Sequence, residues 1–147
     1  MRSKTLLLVE DNPDHEELTL RTLRQNKVIN EIVVARDGEQ ALDYLFGQGK
    51  YDGRDVSQQP ELILLDLKLP KIDGLEVLAR LRKDERTALI PVVILTSSSE
   101  EEDMAKSYKL GANSYVRKPV SFSQFTDRLQ QVQVYWLLVN ESPTKGG

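Results

Sequence analysis

Short apolar runs and amphipathic segments alternate along the chain. Four of the runs contain four consecutive aliphatic residues, the composition of strands that are buried on both faces of a parallel sheet. Apolar residues three or four positions apart follow these runs, which is typical of helices with one buried face. The predicted strands are residues 5–10, 32–35, 61–66, 91–95 and 113–116, and the predicted helices are residues 14–25, 38–46, 74–83, 100–110 and 121–140.

This alternation predicts an α/β fold, a doubly wound five-stranded parallel sheet of order 2-1-3-4-5 with an extended C-terminal helix. The 147 residues suffice for one such domain, which we place at residues 1–140, with a disordered tail at 141–147. The one long connection, residues 47–60, is rich in glycine and polar residues. It is either a flexible surface insertion, the interpretation we slightly favour, or a partner-binding loop.

Composition narrows the possible functions. The net charge is -3, and the 20 basic and 23 acidic residues are interspersed, so we do not expect direct nucleic-acid binding. The absence of cysteine excludes disulfides and thiolate metal sites. No apolar run has membrane-spanning length or resembles a signal peptide, so we expect no membrane partner and a cytoplasmic protein. His15 lies among acidic residues in an early helix turn, where we expect a solvated residue rather than a ligand or catalytic base.

Carboxylates directly follow two of the predicted strands. Glu10 and Asp11 follow the run at 6–9, and Asp66 follows the run at 62–65. One such strand end would be an ordinary residue reaching solvent, but two in one small domain indicate a site. If the strands are neighbours, the three carboxylates converge and require protonation or a bound cation. A hard divalent ion with oxygen ligands fits best, and we expect Mg2+, with Mn2+ as the alternative.

Two further strand ends carry groups of complementary chemistry. Thr96 ends the fourth strand, and Lys118 and Pro119 follow the fifth. Each alone is an ordinary residue, but a hydroxyl and an ammonium facing a metal and a carboxylate form a site for a phosphoryl group. In such a site, the cation neutralises the phosphoryl oxygens and the carboxylate attacks phosphorus.

Residues 4–138 resemble the receiver domain of two-component response regulators. The motifs are Leu-Val-Glu10-Asp11-Asn, Leu-Leu-Asp66-Leu-Lys-Leu-Pro-Lys-Ile-Asp-Gly, Leu-Thr96-Ser, Gly-Ala-Asn-Ser-Tyr115 and Lys118-Pro119. The resemblance implies a flavodoxin-like receiver fold, in which Asp66 accepts a phosphoryl group from a histidine kinase. By the same resemblance, Mg2+ is held by Glu10, Asp11, Asp66 and the main-chain carbonyl of Lys68.

The resemblance also assigns roles around the phosphoryl group. Thr96 and Lys118 would bind its oxygens, and Thr96 and Tyr115 would act as the switch, the Tyr115 side chain swinging inward on activation. The bond between Lys118 and Pro119 would be a cis peptide.

Two features depart from the common form of the family: the insertion at 47–60 and the length of the last helix. The stripe that packs on the sheet comprises Phe122, Phe125, Leu129, Val132 and Trp136. The residues off this stripe, which we predict to form a homodimer interface, are Tyr135, Leu137, Leu138 and Val139. Both departures resemble the stand-alone regulators that are paired with cyanobacterial phytochrome kinases.

We therefore predict a stand-alone phosphoacceptor protein that is phosphorylated by a histidine kinase, of phytochrome type, and signals to an unknown downstream protein by contact. Its own activity would be limited to Mg-dependent self-phosphorylation and slow self-dephosphorylation. One rival is a phosphatase-like enzyme, which would need a general acid where Lys68 stands. Another is a flavodoxin-like cofactor carrier, whose phosphate the acids at 10–14 would repel. The third, a receiver-fold interaction module that no longer depends on phosphorylation, is left open by the sequence.

Overall fold

The computed structural model describes residues 5–25, 31–97, 100–118 and 121–136. Within them, the five predicted strands and five predicted helices are all present. The strands are β1 (Thr5–Val9), β2 (Glu31–Ala35), β3 (Leu62–Leu65), β4 (Val92–Thr96) and β5 (Ser114–Arg117). The helices are α1 (Pro13–Gln25), α2 (Gly38–Phe46), α3 (Gly74–Lys83), α4 (Glu101–Lys109) and α5 (Phe122–Val134). The predicted end of the last helix and the tail at 141–147 lie outside the described residues.

The strands form one parallel sheet of order β2-β1-β3-β4-β5, which confirms the predicted topology. The sheet order reverses between β1 and β3, so the carboxyl ends of these two strands are adjacent. Val9, the last residue of β1, lies opposite Leu65, the last residue of β3. The residues that follow these two strands therefore meet at the place where ligands bind in open α/β sheets.

Side chains alternate across the sheet and enter two separate apolar layers. In β1, Leu7 and Val9 enter one layer, whereas Leu6 and Leu8 enter the other. The buried helix residues of the first layer are Ala41, Leu42, Tyr44, Leu45, Val77, Leu78 and Leu81. Those of the second are Leu23, Phe125 and Leu129. Helices α2 and α3 thus cover one face and helices α1 and α5 the other. Burying each large side chain contributes roughly 1.5–3 kcal/mol to stability, so the two layers together hold the strand ends in place.

The predicted apolar stripe of α5 packs on the second layer. Phe125 and Leu129 are buried, and Val132 and Trp136 are partly buried against the same layer. Tyr135, predicted to lie off the stripe, is 50% exposed. The side chain of Phe122 and the other predicted interface residues, Leu137, Leu138 and Val139, lie outside the described residues.

The insertion at 47–60 is folded against the end of α2, in contrast to the flexible surface segment that we slightly favoured. It contains one short 3-10 helix, Gly49–Tyr51. Arg54, which follows this helix, attaches the insertion to α2. The Arg54 guanidinium lies 4.0 Å from the Tyr44 ring and donates to the carbonyl oxygens of Tyr44 (2.6 Å) and Gln58 (2.7 Å). The bond to Tyr44 satisfies a carbonyl group at the end of α2, a requirement that hydrophobic patterning does not reveal.

None of the helices in the described ranges combines the length and the apolar character that crossing a bilayer requires.

Candidate functional site

Main-chain hydrogen bonds extend the sheet by one residue beyond three of its strands. The Asp66 amide donates to the Val9 carbonyl (3.1 Å), and the Glu10 amide donates to the Ala35 carbonyl (3.0 Å). The Lys118 amide donates to the Thr96 carbonyl (2.7 Å). The predicted site residues are therefore placed by the backbone of the sheet itself, which gives their side chains little freedom to separate.

Glu10, Asp11 and Asp66 form a compact cluster of carboxylates. One oxygen from each lies within 4.8 Å of those from the other two. Glu10 and Asp66 are buried, whereas Asp11 is exposed. Burial raises the pKa of Glu10 from 4.5 to about 7, against the opposing attraction of Lys118, and the charge of Asp66 raises it further. The sequence prediction that these three side chains converge is confirmed, and such oxygens suit a hard divalent cation.

Lys118 reaches into this cluster. The residue is only 7% exposed. Its ammonium forms an ion pair with Glu10 and lies 3.0 Å from Asp66 Oδ2. One cation is thus shared between two of the three carboxylates, which leaves the cluster with excess negative charge. Removing one residue of a buried ion pair is costly, because the charge of the other residue stays buried without a partner.

His15 also lies at the site, and the expectation of a solvated helix residue did not include its contact with Lys118. Its ring is partly exposed, and its Nδ1 atom lies 3.1 Å from Lys118 Nζ. Burial and the charge of Lys118 lower the pKa of His15. The sequence signal was the histidine itself, but its relevance depends on how the first turn of α1 faces the loop after β5, and no local pattern contains that information.

The loop between β1 and α1 connects the acidic cluster to the helix that carries His15. Asn12 donates its amide to Glu10 Oε2 (3.2 Å). Its side-chain oxygen accepts from the amides of Asp14 (2.9 Å) and His15 (3.1 Å). Asn12 therefore satisfies the first amides of α1, as a helix-capping residue does, and holds the carboxylate of Glu10 in place.

The loop after β3 is shaped by a close main-chain approach. Asp66 Oδ1 accepts from the Leu67 amide (2.7 Å), and the Gly74 amide donates to the Leu67 carbonyl (2.9 Å). A Cβ atom on Gly74 would lie 2.2 Å from the Asp66 carbonyl oxygen. Only glycine fits there, which explains the Asp-Gly pair at the start of α3 in physical terms.

The remaining predicted site residues are distributed around the cluster. Thr96 is fully buried at the end of β4. Tyr115 lies opposite Ile94 in the sheet register and is partly buried against the first apolar layer. Lys68 lies in the loop after β3 with its side chain exposed. Pro119, and with it the expected cis peptide, lies outside the described residues.

Comparison with known proteins agrees with this geometry. The response regulator receiver domain family matches residues 6–130. The chain belongs to that family. Response regulator receivers act in signalling, so membership favours a signalling protein over the phosphatase-like enzyme and the cofactor carrier.

Three response regulators are similar to this chain over most of its length. Response regulator Rcp1 of Synechocystis sp. is 39% identical over 91% of this chain and 89% of its own length. Its Mn2+-bound crystal structure superposes with a TM-score of 0.88 at 37% identity, covering 95% of this chain and 99% of that one. The phosphorylated cyanobacterial phytochrome response regulator RcpA has a TM-score of 0.90 at 39% identity and coverages of 97% and 99%. The bacteriophytochrome response regulator AtBRR has a TM-score of 0.75 at 51% identity and coverages of 96% and 100%.

Proposed function

We propose that this chain is the phosphoacceptor of a two-component system, in which Asp66 receives a phosphoryl group from a histidine kinase in a Mg-dependent reaction. The observation that carries this proposal is the position of the Asp66 carboxylate, within 4.8 Å of two other carboxylates and 3.0 Å from the Lys118 ammonium. The phosphorylated state of RcpA supports the same chemistry for a relative of similar fold.

The metal would be held by Glu10, Asp11, Asp66 and the main-chain carbonyl of Lys68. The excess negative charge of the cluster supports this assignment, as does the Mn2+ bound by Rcp1. When bound, the ion would neutralise oxygens of the incoming phosphoryl group and lower the barrier to attack by an anion. We expect Mg2+ in this position, and Mn2+ as a substitute with the same oxygen ligands.

The side chains divide the work of transfer. A carboxylate oxygen of Asp66 attacks the phosphorus of the kinase phosphohistidine, the P–N bond breaks, and the imidazole leaves with its electron pair to be protonated. Lys118 would turn from Asp66 towards a phosphoryl oxygen and compensate its charge. Thr96 would donate to another phosphoryl oxygen, and Tyr115 would move inward as the surface around β5 adjusts.

The partner we propose is a histidine kinase of phytochrome type. The support is the naming of RcpA and AtBRR as phytochrome and bacteriophytochrome response regulators at 39% and 51% identity over nearly the whole chain. The output partner would be a protein that binds the phosphorylated form. We also propose a homodimer that uses the exposed end of α5.

Labelling with radioactive acetyl phosphate tests the phosphoacceptor role. The wild type should acquire a hydroxylamine-sensitive label with Mg2+ and none with EDTA, because the acyl phosphate forms on a carboxylate. Asp66→Asn should remain unlabelled, whereas Asp52→Asn, an exposed aspartate of the insertion, should label like the wild type. Full labelling of the Asp66 variant would overturn the assignment, and a wild type without label would favour the phosphorylation-independent interaction module.

Signalling should also require Lys118. Without its ammonium, the phosphoryl charge is uncompensated and is uncoupled from the loop leading to α5. Lys118→Ala should therefore fail to change its affinity for a partner on phosphorylation, even if some label is acquired. A variant that is phosphorylated and still switches partner affinity normally would contradict this role.

A further inference from the structure

His15 is a group at the site to which the proposed function assigns no role. A lysine ammonium has three N–H donors and no acceptor. Among the described residues, three groups surround Lys118 Nζ: the carboxylate of Glu10, Asp66 Oδ2 at 3.0 Å and His15 Nδ1 at 3.1 Å. The imidazole therefore accepts the one ammonium proton that the two carboxylates do not.

This contact determines the form of the ring. Because Lys118 only donates, Nδ1 must be the unprotonated nitrogen, and the ring proton resides on Nε2. Burial and Lys118 favour this neutral form over the imidazolium, while the acids facing the ring, Asp66, Asp14 and Asp11, act in the opposite direction. The position of His15 in the first turn of α1 also disfavours a cation, because the helix dipole is positive there.

Two contacts that are independent of Lys118 restrict His15. Its main-chain amide donates to the Asn12 cap of α1, which fixes the start of the helix that carries the ring. Its ring centroid lies 6.2 Å from that of Phe125, a buried residue of α5. The imidazole is thus a fixed acceptor, whereas Lys118 has a flexible four-carbon stem that can place its charge in several positions.

We propose that His15 is a positioning residue for Lys118. The imidazole holds the ammonium beside Asp66, so that it is already in place when a phosphoryl group arrives. This inference rests on the proposed function, because it gives His15 a part in phosphorylation of Asp66. It also predicts that the imidazole remains bound to Lys118 when the ammonium donates to the phosphoryl group.

Substitutions that keep or remove the acceptor test the proposal. His15→Asn places an amide oxygen where Nδ1 stands, whereas His15→Leu fills the space without an acceptor. We expect His15→Leu to slow labelling of Asp66 by acetyl phosphate about three- to tenfold, the effect of one hydrogen bond. His15→Asn should recover most of this rate, and Arg24→Leu, on the exposed surface of α1, should match the wild type. Equal rates for wild type and His15→Leu, or equal loss in both His15 variants, would refute the proposal.

A double-mutant cycle separates positioning from a general structural effect. If His15 acts through Lys118, His15→Leu should slow labelling by less than about 1.5-fold in a Lys118→Ala background, because the interaction is already gone. An effect in that background as large as in the wild type would overturn the proposal, even if the single variant is slow.

Nitrogen-15 NMR of His15 tests the contact without phosphorylation. The wild type should show the tautomer with the proton on Nε2, and Lys118→Met should raise the pKa of His15 by removing the neighbouring cation. An unchanged pKa would contradict the contact. If the contact is present but no label is found on wild-type Asp66, the proposed function fails rather than the interaction between the two side chains.

Discussion

At the scale of single residues, Glu10 is a buried carboxylate with an unusually high pKa. It is 2% exposed, and burial raises its pKa from an ordinary 4.5 to about 7. Between these pH values the folded chain holds a proton that the unfolded chain has released. The contribution of Glu10 to stability is therefore complete below pH 4.5 and is lost as the pH rises through 7. A cation bound by the cluster would favour the ionised form and lower this pKa.

We predict that Glu10→Gln, which cannot ionise, changes the pH dependence of folding in EDTA. The free energy of unfolding of the variant minus that of the wild type should increase between pH 4.5 and 7, by at most about 1.4 kcal/mol per pH unit. Urea unfolding at several pH values measures it. Glu39→Gln, at an exposed position of α2, serves as the control. A difference that stays constant or falls with pH would show that Glu10 is already ionised in the metal-free fold.

A second prediction at this scale concerns Gly74. In Gly74→Ala, the new Cβ would lie 2.2 Å from the Asp66 carbonyl oxygen and 2.7 Å from the Leu67 Cα atom. Both are main-chain atoms, so the loop carrying Asp66 must shift. We expect a loss of about 1–3 kcal/mol in stability and slower labelling of Asp66.

Gly53→Ala is the matched control for this substitution. Position 53 has a φ of 89° and no atom within 4 Å of the added Cβ. Backbone strain should cost on the order of 1 kcal/mol, with no effect on labelling. Equal labelling rates for Gly74→Ala and Gly53→Ala would contradict the close approach as a determinant of the site.

Much of the site could be predicted from the sequence, because the position of a residue at the end of a strand follows from the order of the strands alone. Once two apolar runs are adjacent parallel strands, Glu10 and Asp66 must meet at one edge of the sheet. The position of His15 could not be predicted in this way, because Lys118 is 103 residues away and the contact depends on the packing of α1 and α5. Nor does a sequence pattern show that Lys118 forms ion pairs with carboxylates when no phosphoryl group is bound.

At the scale of secondary-structure elements, apolar periodicity located two helices to the residue. The predicted ranges of α2 and α3 equal the observed ones, and each helix follows an aspartate whose side chain caps it. The insertion before β3 has no such periodicity, and its contacts with α2 come from side chains such as Arg54 and Gln59, which donate to main-chain carbonyls of that helix. The role of Arg54 could not be predicted from the spacing of apolar residues, because it depends on hydrogen bonds to main-chain carbonyls.

We predict that Arg54→Ala destabilises the domain by about 1.5–3 kcal/mol, since charged hydrogen bonds and stacking on Tyr44 are lost together. Arg54→Lys should recover only part of the loss, because an ammonium cannot reproduce the planar fork. Thermal or urea unfolding measures both. Gln58→Ala, at an exposed neighbouring position whose carbonyl is retained, should be nearly neutral. An Arg54→Ala variant as stable as Gln58→Ala would show that the insertion is not anchored by this side chain.

At the scale of the whole molecule, the sheet is covered on both faces, but apolar side chains at the end of α5 remain exposed. The stripe of α5 that includes Phe125 and Leu129 already covers the sheet. Val134 and Tyr135 point elsewhere, with 45% and 50% of their surfaces exposed. Adjacent exposed apolar side chains commonly mark an interface, and a second copy of the same surface is complementary by two-fold symmetry.

We predict that this surface makes the protein a homodimer at concentrations on the order of tens of micromolar, where even a weak dimer is populated. Light scattering of the wild type should give the mass of two chains, and Val134→Glu/Tyr135→Glu should give that of one, because each interface would then bury charges without partners. Leu137→Glu/Leu138→Glu should have the same effect. Leu89→Glu, at a leucine that is 61% exposed in the α3–β4 connection, should remain dimeric. A monomeric wild type, or a dimer that survives both double substitutions, would contradict an interface at the end of α5.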